Sequence, residues 1–300
     1  MVYRLYDDQG RALELYEFSW SKIVNDEIRK LDFDKSGINA SLRKPLNARV
    51  KEFINGISPY ALIYLGNPEY KNRILEGMAQ SLCWMTSQDY DAFGQQPPEA
   101  CDLSKPENIQ NARNINYVVF THSLGSQIAI DGFHRAIPYL EMYRKLHKKH
   151  TDTANYVSVK LYMFSNQIPL IQLGRKAPDN AGQIREYCTK DAPHYADRSF
   201  SKLEIVAFSD PNDLLSYSLP ENNARMNFDS KLCPRSSNVI INVGALNKIF
   251  GMEVANPLDA HLRYKTNNRV LAIIKEGVDH KSKEKLKDLQ CDWIQTEADF

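Results

Sequence analysis

Four strand-sized apolar runs, Ile115 to Phe120, Val157 to Phe164, Leu203 to Phe208 and Val239 to Val243, constrain this chain more than any other feature. Each is mostly apolar rather than strictly alternating, as in strands buried within a parallel sheet. Between the first two, Gln127 to Tyr143 carries Ile130, Phe133, Ile137 and Leu140 at spacings of 3, 4 and 3. That is one stripe of a helix, within which Pro138 predicts a kink or an early stop. Residues 268–277 and 283–294 read as closing helices. Strands alternating with helices imply an α/β fold with a mostly parallel sheet, whose functional loops gather at the strands' carboxyl ends.

The region ahead of this pattern is less regular. Val2 to Tyr6 and Ala12 to Phe18 flank Asp-Asp-Gln-Gly and predict a hairpin. Ile23, Ile28 and Leu31 mark one helix, and Ile74, Met78 and Leu82 another. Ala61 to Leu65 is short enough for a strand. Residues 86–112 are polar and carry Gly, Pro and Asn, which predicts exposed loop. Three hundred residues suit one large α/β domain, and residues 1–300 are read as one.

Composition excludes classes rather than choosing one. Thirty-eight basic against 37 acidic side chains leave +1, which argues against a nucleic-acid partner. The five cysteines, Cys83, Cys101, Cys188, Cys233 and Cys291, are far apart and form no C-x-x-C pair. They predict buried thiols in a reduced compartment, and no metal site. No signal peptide is visible after Met1, so a cytoplasmic location is favoured. No apolar run is long enough to span a membrane, which leaves peripheral membrane contact open. The basic clusters at 144–150 and 281–285 read as a helix C-terminus and a solvated face.

The chemically informative stretch is Tyr117-Val118-Val119-Phe120-Thr121-His122-Ser123-Leu124-Gly125-Ser126-Gln127. A strand enters a turn of small residues with serine at its apex, and a helix leaves at once. Such a turn lifts the hydroxyl out at the sheet's end, beside N–H groups able to hold an oxyanion. Ser-x-Gly alone is weak; its place between strand and helix gives it weight.

Thr121-His122-Ser123-Leu124-Gly125 resembles the nucleophile elbow of the α/β-hydrolase superfamily, G-x-S-x-G, with threonine in place of the first glycine. More narrowly, the chain is similar to the superfamily's serine esterases and lipases. That resemblance implies an α/β-hydrolase-like sheet flanked by helices and a triad in the order Ser, acid, His. Asn212-Asp213-Leu214-Leu215 through Leu219-Pro220 is similar to the acid loop of many lipases, which implies Asp213 as the acid, with Asp210 as competitor. His261-Leu262-Arg263-Tyr264 looks like the catalytic-histidine loop. Ser123, Asp213 and His261 stand 90 and 48 residues apart, which suits loops on successive strands. The resemblance also makes the Leu124 N–H one oxyanion donor.

The resemblance then implies a serine hydrolase of lipid-like or small carboxylic esters that needs no cofactor. No His-Gly, the family's usual mark of the second oxyanion donor, occurs here. This predicts that the strands bearing it are missing from the N-terminus, or that an unrelated loop supplies the donor. It also motivates the alternative of a hydrolase-fold binding protein with weak or no turnover. Residues 86–112 and 168–200 are long enough to be lid or cap insertions.

Overall fold

A computed structural model describes residues 1–10, 12–87, 90–93, 100–109, 116–146, 157–220, 226–244, 246–249, 252–278, 287 and 291–295. The chain, expected as a single domain, divides into two units, Met1–Asn111 and Ala112–Phe300.

In the first unit, β1 (Val2–Tyr6) pairs antiparallel with β2 (Ala12–Tyr16), Val2 opposite Tyr16. Helices α1 (Ser21–Arg29), α2 (Gly37–Leu42), α3 (Pro45–Gly66), α4 (Pro68–Ser87) and the short α5 (Pro106–Ile109) follow. The apolar run Ala61 to Leu65 is the last part of α3, not a strand. The longer pattern wins over the local one: Phe53, Ile57, Tyr60 and Tyr64 recur at 4, 3 and 4, one helical stripe. Tyr64 is fully buried and Tyr60 meets Trp20 edge-on at 5.4 Å. Of the expected loop 86–112, Thr86 and Ser87 end α4, whereas 88–89, 94–99 and 110–112 lie outside the described residues.

The second unit carries the α/β pattern. Its elements are β3 (Asn116–His122), α6 (Gly125–Leu146), β4 (Val157–Phe164), α7 (Ile168–Ile171), α8 (Ile184–Cys188), β5 (Phe200–Ser209) and β6 (Pro234–Ile240). A separate hairpin, β7 (Leu246–Ile249) with β8 (Met252–Ala255), leads to α9 (Pro257–Leu262), α10 (Asn268–Glu276) and β9 (Asp292–Gln295). The five-stranded sheet has the order β3-β4-β5-β6-β9, with the first four strands parallel and β9 antiparallel to β6.

Several boundaries differ from the sequence reading. Residues 292–295 pair as a strand where a helix was expected, while 283–286 and 288–290 lie outside the described residues. Helix α6 passes through Pro138 and continues to Leu146. Ile115, the clusters' residues 147–150 and residues 281–285 are likewise outside the description. Strand β6 begins five residues before Val239, because Ser236 and Asn238 are polar yet buried. The Asn238 amide exchanges two hydrogen bonds with the backbone of Leu219, which satisfies it inside the sheet.

Alternation along β4 to β6 gives the sheet two covered faces, whereas β3, expected as a buried strand, is the edge strand and leaves Val118 and Phe120 about half exposed. On one, Tyr162, Phe164, Val206, Phe208 and Val239 pack with Tyr264, Val270 and Ile273. The fully buried Val270 and Ile273 each contribute about 1.5–3 kcal/mol by leaving water. On the other, Phe133 of α6 meets Phe200 at 5.6 Å. This packing holds the carboxyl ends of β3 to β6 side by side.

The cysteine expectation is corrected. Cys83–Cys101 and Cys188–Cys233 are disulfides, with Cα atoms 5.8 and 5.5 Å apart, and Cys291 packs against the core. Chain separations of 18 and 45 residues hide this proximity, since folding alone brings the partners together. The bridges remove the basis for reading a reduced compartment from the cysteines. Residues 168–200 hold α7, α8 and a turn at Tyr195–Asp197, with Ile168, Ile171, Ile184 and Tyr187 buried.

Candidate active site

The turn after β3 is built as its small residues require. Ser123 follows the last strand residue directly and has φ 57°, a left-handed conformation uncommon for a residue with a side chain. Its N–H donates to the carbonyl of Phe164 on β4 (2.9 Å), and its carbonyl accepts from Ser126 N–H (3.1 Å). A Cβ at Gly125 would sit 3.7 Å from Thr121 Cβ, so there is ordinary room across the turn. Threonine is accommodated there because its hydroxyl is used: Oγ1 donates to the Tyr162 carbonyl (3.2 Å) and lies 3.1 Å from Ser126 Oγ. Leu124, buried, is the last residue before α6, where N–H groups of the first turn point away from the helix.

The loop that leaves β5 and carries Asp210 and Asp213 is fastened at several points. Asn166 donates through Nδ2 to the Tyr217 carbonyl (2.8 Å), and its own carbonyl accepts from Tyr217 N–H (2.7 Å). Ser209 and Ser218 hydroxyls meet at 2.9 Å, and Asn238 holds Leu219. Within this loop the two aspartates have different work. Asp210 accepts from Asn212 N–H (2.8 Å), Val243 N–H (2.7 Å) and Gly244 N–H (3.3 Å), so it ties the loops after β5 and β6 together. Asp213 is turned to the histidine: its Oδ1 and Oδ2 lie 3.0 and 3.1 Å from His261 Nδ1. Both side chains of that pair are almost fully buried.

His261 sits on α9, capped by Asn256, whose side chain accepts from Leu258 N–H. The preceding residue approaches the loop after β6 closely. A Cβ on Gly244 would lie 3.1 Å from Ala260 N and 3.3 Å from its Cα, so glycine lets the helix dock. Tyr264, one turn on, is fully buried; its hydroxyl oxygen accepts from Asp210 N–H (2.8 Å). Burial pushes that phenol far up, so it stays protonated.

His122 joins the serine turn to the histidine. Its Nε2 is 2.7 Å from the carbonyl oxygen of His261, and the rings meet edge-on with centroids 4.9 Å apart. A carbonyl oxygen only accepts, so Nε2 carries the proton and donates. Burial pushes this imidazole down to about 4, below its ordinary 6.5, and keeps it neutral. The ring thus rests against His261 rather than simply packing on a strand.

The same reasoning fixes the tautomer of His261. With Nδ1 facing a carboxylate, a proton belongs on Nδ1. Asp213 and His261 are therefore brought together, and His122, which precedes Ser123 in the turn, reaches the same histidine. A further hydroxyl, that of Ser165, lies between the two: 2.6 Å from Asp213 Oδ2 and 2.8 Å from His261 Nδ1. Sequence reasoning missed Ser165. The signal available was its place, a small polar residue directly after an apolar strand in a parallel sheet.

Among the described residues, no group of three or more His, Cys, Asp or Glu is placed to hold a metal ion, and no helix is long and apolar enough to cross a membrane. Comparison of the chain with family models, with curated proteins and with solved structures finds no match.

Proposed function

We propose that the chain is a serine hydrolase of carboxylic esters, lipid-like or small, built on an α/β-hydrolase-like sheet. The observation that carries the reading is the buried Asp213–His261 pair, whose histidine is touched by His122, the residue before a serine in left-handed conformation at the end of a parallel strand. The order of strands supports it as well, since serine, acid and histidine follow β3, β5 and β6 of one sheet.

The chemistry follows from the donors and acceptors. Ser123 Oγ attacks the ester carbonyl while His261 Nε2 takes its proton. The imidazolium so formed keeps its Nδ1–H on Asp213, whose fixed negative charge stabilises it and holds the ring's orientation. The Leu124 N–H, at the start of α6, donates to the oxyanion of the tetrahedral intermediate. His261 then returns the proton to the leaving alcohol, and water releases the acyl group from Ser123 by the same route. None of these steps draws on a cofactor.

A panel of short- and long-chain p-nitrophenyl esters tests the proposal. Turnover by the wild type that falls by at least about a thousandfold in both Ser123→Ala and His261→Ala is expected. Absence of turnover across the panel would favour the binding-protein alternative, and equal turnover in the variants would exclude this site.

A further inference from the structure

We infer that Ser165 is a positioning residue of the acid–base pair, holding Asp213 and His261 in the geometry that general-base catalysis needs. The inference rests on the hydrolase reading above and adds a member to its site.

Three observations carry it. First, Ser165 stands directly after β4, as Ser123 stands after β3, and His122 is paired with Phe164 in the sheet register. The two serines are thus neighbours at the carboxyl ends of adjacent strands, which run about 4.8 Å apart. Second, Ser165 has φ 50°, where glycine would be favoured. A side chain is kept at that position although the backbone disfavours one. Third, its hydroxyl is fully buried and makes two polar contacts, both within the pair.

The proton inventory assigns each contact a direction. The hydroxyl has one hydrogen, and the 2.6 Å approach to Asp213 Oδ2 takes it, because a carboxylate only accepts. The hydroxyl oxygen is then free to accept from His261 Nδ1–H at 2.8 Å. Leu215 N–H donates to the other oxygen, Oδ1, at 3.0 Å. Asp213 is therefore held by a donor on each oxygen, and the Nδ1–H is shared between the carboxylate and the serine. The imidazole cannot turn about its long axis without breaking both. Ser165 is not a second nucleophile: its hydroxyl is held on the Nδ1 side of the ring and is closed to solvent.

Ser165→Ala and Ser165→Gly separate positioning from a structural role. Glycine relieves the left-handed backbone and alanine does not, so the glycine variant melts at the higher temperature of the two. Both lack the hydroxyl. Positioning predicts that kcat on a p-nitrophenyl ester falls about ten- to a hundredfold in both, with KM within about twofold of wild type. Wild-type kcat in either variant, or activity that recovers with stability in the glycine variant, would overturn the inference.

A second readout is independent of turnover: the imidazole 15N shifts of His261, detected through its carbon-bound protons and assigned with His261→Ala. Movement of the Nδ1 shift in both Ser165 variants supports the inference, and an unmoved shift refutes it. Should the wild type hydrolyse no ester, the hydrolase reading fails, and these shifts alone decide the placement of Ser165.

Discussion

Exchanging each acid-loop carboxylate for an amide separates chemistry from architecture, because Asp210 and Asp213 are three residues apart and do different work. In Asp210→Asn, an NH2 replaces one oxygen of a carboxylate that accepts from Asn212, Val243 and Gly244 N–H groups and from Asn212 Nδ2 (3.1 Å). Whichever way the amide turns, one pair of donors faces another donor. Two hydrogen bonds to a charged acceptor are lost, at about 1.5–3 kcal/mol each, so stability drops by about 3–6 kcal/mol. The melting temperature falls by roughly 10 °C. The histidine keeps its carboxylate, so kcat of the folded protein stays near wild type.

Asp213→Asn should do the reverse. Oδ1 still accepts from Leu215 N–H, and the new NH2 finds acceptors in Ser165 Oγ and an unprotonated His261 Nδ1. The network survives, with the proton moved to Nε2, where it blocks proton uptake from Ser123. A loss of about ten-thousandfold in kcat follows, roughly 5 kcal/mol of barrier, with a small change in melting. Calorimetry and p-nitrophenyl ester kinetics, taken well below both melting temperatures, read the two effects. An active Asp213→Asn beside a folded but inactive Asp210→Asn would refute the assignment of the acid.

Three further outcomes follow from the geometry. Gly244→Ala puts a Cβ within 3.1 Å of Ala260 N and displaces the His261 helix by a few tenths of an ångström, so kcat should fall about three- to tenfold with the fold retained; unchanged kinetics would show that the approach carries no catalytic geometry. His122, neutral when folded down to about pH 4 and titrating near 6.5 when unfolded, makes the unfolded chain bind the extra proton in that window. Stability therefore rises with pH from 4 to 6.5, by up to about 3 kcal/mol, and urea unfolding at both ends should show that increment shrink in His122→Gln. Removing Cys188–Cys233, which closes 45 residues, should cost about 4 kcal/mol, and removing Cys83–Cys101, which closes 18, about 3 kcal/mol; urea midpoints of the paired alanine variants that match wild type would contradict this.

The parts of the fold that local pattern controls were readable in advance. Val157 to Phe164 is a strand as expected because its apolar run is unbroken, and Ser123 is a turn because small residues surround it on a strand-to-helix junction. Ala61 to Leu65 was misread because a five-residue run does not distinguish a strand from a helix, whereas the stripe from Phe53 to Tyr64 does. Strand β6 was placed late because Asn238 is buried only by virtue of a partner 19 residues away. The disulfides and Ser165 depend on long-range proximity, which no spacing reveals. That Asp213 and His261 should meet was expected from motif resemblance; that Asp210 instead accepts from the loop after β6 shows only in the donors around each carboxylate.

The central claim is that Ser123 is an activated nucleophile, and covalent labelling reads this most directly. A fluorophosphonate incubated with the intact chain, followed by proteolysis and mass spectrometry, should place one adduct on Ser123. Labelling should be abolished in Ser123→Ala and slowed strongly in His261→Ala. An adduct on another residue, or equal labelling of wild type and Ser123→Ala, would contradict the account.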